Sequence, residues 1–193
     1  MIRLKIGIDF DNTIASFNGV FHRYAVEEKL IPASTPAAKE AVRNEIRKKK
    51  GNEQWTRLQG IVYSRGMAEA VLTEGFEECV RFLRERGTQL FVISHKTAVA
   101  ASDKRAELRA PAMKWLETQE FFDKKGLGFK KEDIFFEETR LEKVKRITSC
   151  GCTHFIDDLP EIFNETSFPR NVIPLLYGEK SWNQLQEYFT QIP

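Results

Sequence analysis

Two aspartates one residue apart, Asp9 and Asp11, interrupt an apolar segment, KIGIDFDNTIASF, close to the start of the chain. Further along, Ser94 follows LFVI, and the acidic pair Asp157 and Asp158 follows HFI. Four carboxylates brought to one place repel one another, and each ionised group is costly to desolvate without a partner. A hard divalent cation resolves both problems. Mg²⁺ takes oxygen ligands, uses one or two carboxylates, and keeps water and substrate phosphate in its other positions. One carboxylate can then act as a nucleophile, since Asp is among the side chains that form aspartyl-phosphate, while its neighbour serves as acid and then base.

For these residues to meet, the elements that carry them must end at one place. Ile2, Leu4, Ile6, Ile8 and Phe10 alternate with Arg3, Lys5, Gly7 and Asp9, the period of a strand. QLFVIS at 89–94 and THFIDD at 153–158 read as further strands, and NVIPLLY at 171–177 as one whose Pro174 suits a sheet edge or an early strand end. FEECVRFLRERG and RLEKVKRITSCG read as helices ended by Gly87 and Gly151. Strands alternating with helices predict an α/β fold with a parallel sheet. In such sheets ligands bind beyond the carboxyl ends of the strands, where Asp9, Asp11, Ser94, Asp157 and Asp158 all lie.

Residues 18–70 do not join the alternation. The stretch NGVFHRYAVEEKL, then AAKEAVRNEIRKKK opened by Thr35 and Pro36 and closed by Gly51, then a run through Trp55, Leu58 and Val62 all have helical spacing. That is too much helix for a crossover. The expected architecture is therefore a Rossmann-like three-layer sandwich formed by 1–17 and 71–193, with 18–70 inserted after the first strand as a small helical cap. The tail SWNQLQEYFTQIP fits either a last helix on the sheet or part of an interface.

At 193 residues the chain suits one core with an insertion, and its formal net charge of +2 gives no basic field of the kind nucleic-acid binders carry. Three cysteines, an odd number, and an N-terminus without a secretory pattern point to a reducing, cytoplasmic setting. No apolar run approaches the roughly 20 residues of a spanning helix, so a soluble protein with no membrane partner is expected. No GxxxxGK[ST] occurs, which excludes a P-loop kinase.

Taken in order, these motifs resemble those of the haloacid dehalogenase-like (HAD) hydrolase superfamily, over residues 4 to about 160. DFDNT at 9–13 resembles its DxDxT signature; Ser94 resembles the hydroxyl that holds a phosphate oxygen; Lys143 in RLEKVKRI resembles the lysine that neutralises nucleophile and phosphoryl group; FIDD at 155–158 resembles the closing acidic pair. The resemblance implies a Mg²⁺-dependent phosphatase acting on a small phosphate ester. Asp9 would attack phosphorus in line, and Asp11 would protonate the leaving oxygen and then activate the hydrolytic water. Most of the rate must come from positioning and charge neutralisation. The implied metal ligands are the Asp9 carboxylate, the Asp11 backbone carbonyl and one of the final pair, with Asp158 favoured and Asp157 supporting it. Asn12 and Thr13, together with His95 and Lys96 after Ser94, are candidates for the phosphate-binding rim. The helical cap and the IDD ending are similar to the deoxyribonucleotidase branch, which implies a nucleoside monophosphate.

Each residue also has a plainer reading. DFDNT alone is a strand running into an Asx turn, and Ser94 alone a turn hydroxyl. Lys143 is preferred to Lys145 because it is nearer the helix N-terminus, with Val144 and Ile147 packing inward. His95 and Lys96 by default are exposed loop residues. RKKK at 47–50 suits a helix C-terminus, Cys150 and Cys152 read as ordinary thiols, and Phe17, Phe21, Trp55 and Tyr63 are core more readily than a substrate pocket. Two other functional classes remain: a phosphoacceptor signalling domain, where the acidic pair opens the chain instead of closing it, and a non-catalytic or regulatory HAD-fold protein, which has little need of both Asp9 and Asp11. Dehalogenases of the superfamily usually lack the second aspartate, so Asp11 speaks for phosphate.

Overall fold

The computed structural model of the protein describes residues 4–192, so Ile2 and Arg3, counted above in the first strand, lie outside the described residues. In chain order the strands are β1 (Lys5–Ile8), β2 (Ala15–Ser16), β3 (Val71–Leu72), β4 (Gln89–His95), β5 (Ile134–Glu137), β6 (His154–Asp157) and β7 (Ile173–Leu176). The α-helices are α1 (Val20–Glu27), α2 (Lys39–Lys50), α3 (Asn52–Ser64), α4 (Phe76–Glu85), α5 (Arg109–Thr118), α6 (Arg140–Ser149), α7 (Pro160–Phe163) and α8 (Trp182–Thr190). The chain forms two compact units: Met1–Ala15, Leu72–Lys96 and Gln119–Pro193 make the first, and Ser16–Val71 with Thr97–Thr118 the second.

The first unit is built on a parallel sheet of order β5-β4-β1-β6-β7, flanked by helices. β1 is central. Ile6, Gly7, Ile8, Asp9 and Phe10 are all buried, so the alternation in the sequence is not an in-out pattern but a strand covered on both faces, as parallel sheets require. A Cβ on Gly7 would stand 2.7 Å from a ring carbon of Phe155 and 3.1 Å from Cys152 Sγ, which is why a glycine interrupts the isoleucines. Pro174 does lie on an edge strand, β7. The other edge, β5, was not anticipated; its IFFE is short and only half-buried.

Below the site, one cluster of Phe91, Ile93, Val144, Ile147, Cys152, Phe155, Ile162 and Val172 joins the sheet to α6 and α7. Burial pushes the Cys152 thiol up to about 12, as suits an inert core thiol. The C-terminal segment belongs to the core: Trp182, Leu185 and Phe189 of α8 are fully buried, and α8 packs on α4. No helix among the described residues is long and apolar enough to cross a membrane.

The second unit is helical. Thr35 does not cap α2, because its amide donates to Pro32 O at 3.0 Å and closes a turn; the helix starts at Lys39 after Ala38. Phe17, Phe21 and Trp55 are buried, Phe21 stacks on Trp55 at 5.1 Å, and Tyr63 meets Phe17 and Phe21 edge-on, so these aromatics are the unit's core. Residues 97–118, expected in the α/β core, group instead with 16–71. Ala112, Trp115 and Leu116 bury one face of α5 there, and the Trp115 indole donates to Ala70 O at 2.8 Å. A Cβ on Gly60 would stand 2.8 Å from Ser102 Oγ, so the glycine admits this segment against α3.

Candidate active site

β1 and β6 pair in register through Ile8 and Ile156, and the Asp9 amide continues the ladder by donating to Ile156 O at 2.9 Å. Strand period then sets the directions. Gly7 faces Phe155, so Asp9 and Asp157, two residues further on each strand, turn to the same face of the sheet. That face carries α6. Thr139 caps α6 by accepting from the Glu142 amide, Glu142 returns a bond to the Thr139 amide, and Lys143 follows in the first turn.

Lys143 bridges the two strands. Its ammonium donates to Asp9 Oδ1 at 2.5 Å and to Asp157 Oδ2 at 2.6 Å, with all three side chains buried. Burial by itself would push the Lys143 ammonium down, but the carboxylates of Asp9 and Asp157 outweigh it and hold it above the usual lysine range. Asp157 is pushed up to about 6, first by burial and then by the Asp9 charge, with Lys143 opposing. The other Asp157 oxygen accepts from the Leu159 amide at 2.9 Å. Lys145 is exposed, and of the two lysines it is Lys143 whose ammonium meets the carboxylates.

Oxygen atoms of Asp9, Asp157 and Asp158 lie within 4.8 Å of one another, a spacing suited to one cation. The donor set is all carboxylate, which matches Mg²⁺ in preference to a soft metal. Asp9 and Asp157 share one buried ammonium, so the pair keeps more negative charge than that ammonium cancels. These observations fit a divalent cation, and both final aspartates stand close enough to hold it.

The turn after Asp9 is pinned by its backbone. Ile14 and Ala15 amides donate to Phe10 O, the Asn12 amide donates to Ala15 O, and Asn12 takes φ +66°, a left-handed geometry that Asn tolerates. Thr73 Oγ1 donates to Thr13 O at 2.7 Å and accepts from the Trp182 indole at 2.8 Å. Thr13 is fully buried, and its Oγ1 has no partner among the described residues. Ser94 is buried near the carboxyl end of β4. His95 is exposed, with Nε2 3.1 Å from Glu138 O, so it is tied to the loop before α6 and is not gathered with the carboxylates.

Lys96 departs most from expectation. It is not an exposed loop residue: it is buried, and its ammonium donates to both Asp11 oxygens at 2.9 and 2.8 Å. Two supports were also missed in the sequence. The Thr139 to Glu142 capping box was legible as T-x-x-E, whereas nothing local pointed to Thr73 and Trp182.

No protein-family model matches the sequence, and no curated protein matches it at a significant level. Solved structures do. A HAD-superfamily hydrolase from Ehrlichia chaffeensis is 12% identical with a TM-score of 0.58, covering 100% of this chain and 99% of that one. A hydrolase from Streptococcus pneumoniae TIGR4 is 10% identical with a TM-score of 0.59, covering 98% and 100%. The fold is that of the HAD-like hydrolases. A third structure with the HAD-like fold, from Deinococcus radiodurans R1 with bound phosphate and sodium, is 13% identical with a TM-score of 0.50, covering 89% and 79%.

Proposed function

We propose that this chain is a Mg²⁺-dependent phosphohydrolase that cleaves a small phosphate monoester through an aspartyl-phosphate on Asp9. The observation that carries the proposal is the buried Asp9–Lys143–Asp157 bridge beside Asp158. Lys143 binds Asp9 through Oδ1, which leaves Oδ2 to attack phosphorus. The same ammonium lies beside the oxygens on which charge builds as the phosphoryl group transfers, and Ser94 offers a hydroxyl to one of them. Asp11 gives its proton to the leaving oxygen, then takes one from the water that opens the acyl phosphate. Asp9 with Asp158, Asp157 and the Asp11 carbonyl would hold Mg²⁺, which when bound supplies neutralisation of the phosphate charge.

The phosphate bound to the Deinococcus radiodurans structure of the same fold supports the substrate class. We assign the helical segment 18–70 the role of a cap, on its place in the chain between the first and second motifs. Nucleoside monophosphates are the first substrates to try, on the resemblance to the deoxyribonucleotidase branch, followed by sugar phosphates. Phosphate release is measured with Mg²⁺ and with EDTA, for the wild type and Asp9→Asn. The expected outcome is turnover on at least one ester, abolished by EDTA and by the substitution. A folded wild type that releases no more phosphate than Asp9→Asn from any ester would falsify the reading.

A further inference from the structure

We infer that Lys96 is a positioning residue for the acid–base group Asp11 and not a ligand of the phosphate. The inference rests on the phosphohydrolase reading and assigns Lys96 a role within that site.

Lys96 is fixed from its backbone outward. Its amide donates to Glu137 O at 2.9 Å, so the β4–β5 ladder runs one residue past His95 and the pleat still governs side-chain direction. Ser94 and Lys96 therefore share a face, and both are almost wholly buried at 1% and 3% exposure, while His95 between them is exposed. The Lys96 ammonium that bonds Asp11 stands 5.3 Å from the centre of the Phe10 ring. Phe10 itself is fixed, edge-on to Phe136 at 5.6 Å. At the end of this path one ammonium bonds both oxygens of one carboxylate.

A lysine that gripped phosphate would need its ammonium turned toward the transferring group. Here two of its three N–H bonds are committed to Asp11, and the side chain is too enclosed to swing away cheaply. The ammonium, bonded to both oxygens, fixes the rotamer from which Asp11 reaches the leaving oxygen. Lys143 and Lys96 thus divide the cationic work of the site: the first acts on the nucleophile and phosphoryl group, the second on the leaving-group side.

Leaving-group dependence separates the two roles. Phenyl phosphate needs a proton on its departing oxygen far more than p-nitrophenyl phosphate does, although the esters are nearly the same size. Steady-state kinetics are measured on both for the wild type, Lys96→Met, Lys96→Arg, Asp11→Asn and the double variant Asp11→Asn/Lys96→Met. The expected result for Lys96→Met is a fall in kcat of about 100-fold on phenyl phosphate, under about 10-fold on p-nitrophenyl phosphate, with KM little changed. Lys96→Arg recovers part of the loss, and the double variant is no slower than Asp11→Asn, because residues that act as a unit are not additive. Equal losses on both esters, a raised KM, weaker inhibition by inorganic phosphate and an additive double variant would overturn the inference and make Lys96 a phosphate ligand. The double variant removes both charges of the ion pair, so its comparison with Asp11→Asn does not depend on Lys96→Met folding well. A folded wild type inactive on both esters and on the nucleotide and sugar-phosphate panel overturns the phosphohydrolase reading and this inference with it, whereas activity with no leaving-group selectivity in Lys96→Met overturns the inference alone.

Discussion

Lys143 is where charge and burial meet most sharply, and a residue-by-residue test can read it. Lys143→Met leaves Asp9 and Asp157 facing each other, both buried, without the ammonium they share. Removing one partner from a buried ion pair costs on the order of 3–5 kcal/mol. Without metal the variant should therefore unfold at markedly lower urea than the wild type, with part of the difference recovered in Mg²⁺, and turnover should fall at least about 100-fold. Lys145→Met, at an exposed position two residues on, should stay within about 0.5 kcal/mol of the wild type and keep its activity. Equal effects at the two positions would mean that the bridge has no energetic part in the site. The residue identities at the centre of this site could be read from the sequence, because two aspartates, a helix-start lysine and a closing acidic pair occur in the order the HAD resemblance implies. Lys96 could not be read the same way. Whether a residue after a strand lies in a loop or continues the ladder depends on β5, a partner about forty positions away that composition did not reveal.

At the scale of elements, two supports hold the side chains in place. The Thr139–Glu142 box satisfies the orphan amides at the start of α6, the turn that carries Lys143. Thr139→Ala removes the cap and should cost about 1 kcal/mol, read as a lower urea midpoint at unchanged slope. If the midpoint does not move, water or a neighbour replaces the cap and α6 needs no such anchor. Beneath the site, Gly7→Ala forces the new methyl group toward the Phe155 ring, which is fully buried and has no room to yield. Overpacking of this kind typically costs about 1–3 kcal/mol, and a thermal melt equal to the wild type would show that Phe155 can shift after all. The long apolar strands and the capped helices were legible because their periods are local. β5 was not, since four half-buried residues followed by acids resemble a loop. The grouping of 97–118 with 16–71 is hidden from local pattern for the same physical reason, as its anchoring bond from Trp115 to Ala70 spans 45 positions.

For the whole molecule, the pH dependence of stability tests how the last helix is joined to the sheet. His154 opens β6, is buried, and lies between Thr153 and α8: Nδ1 is 2.9 Å from Thr153 Oγ1, Nε2 is 3.3 Å from the Tyr188 hydroxyl, and the Phe189 ring meets it edge-on at 5.4 Å. Burial holds the imidazole below its usual range, so the folded protein keeps it neutral at pH values where the unfolded chain does not. The unfolded imidazole titrates near pH 6.5, roughly, and below that value unfolding takes up a proton that the folded state refuses. The sign follows: the stability held through His154 is fully present above about pH 6.5 and drains away as the pH falls. His154→Gln keeps a donor and an acceptor for Thr153 and Tyr188 but has nothing to titrate. Urea midpoints compared at about pH 7.5 and about pH 5.5 should therefore fall further for the wild type than for the variant. If the two proteins lose stability in parallel, the acid sensitivity lies elsewhere, and the contact between β6 and α8 is held by its aromatic packing alone.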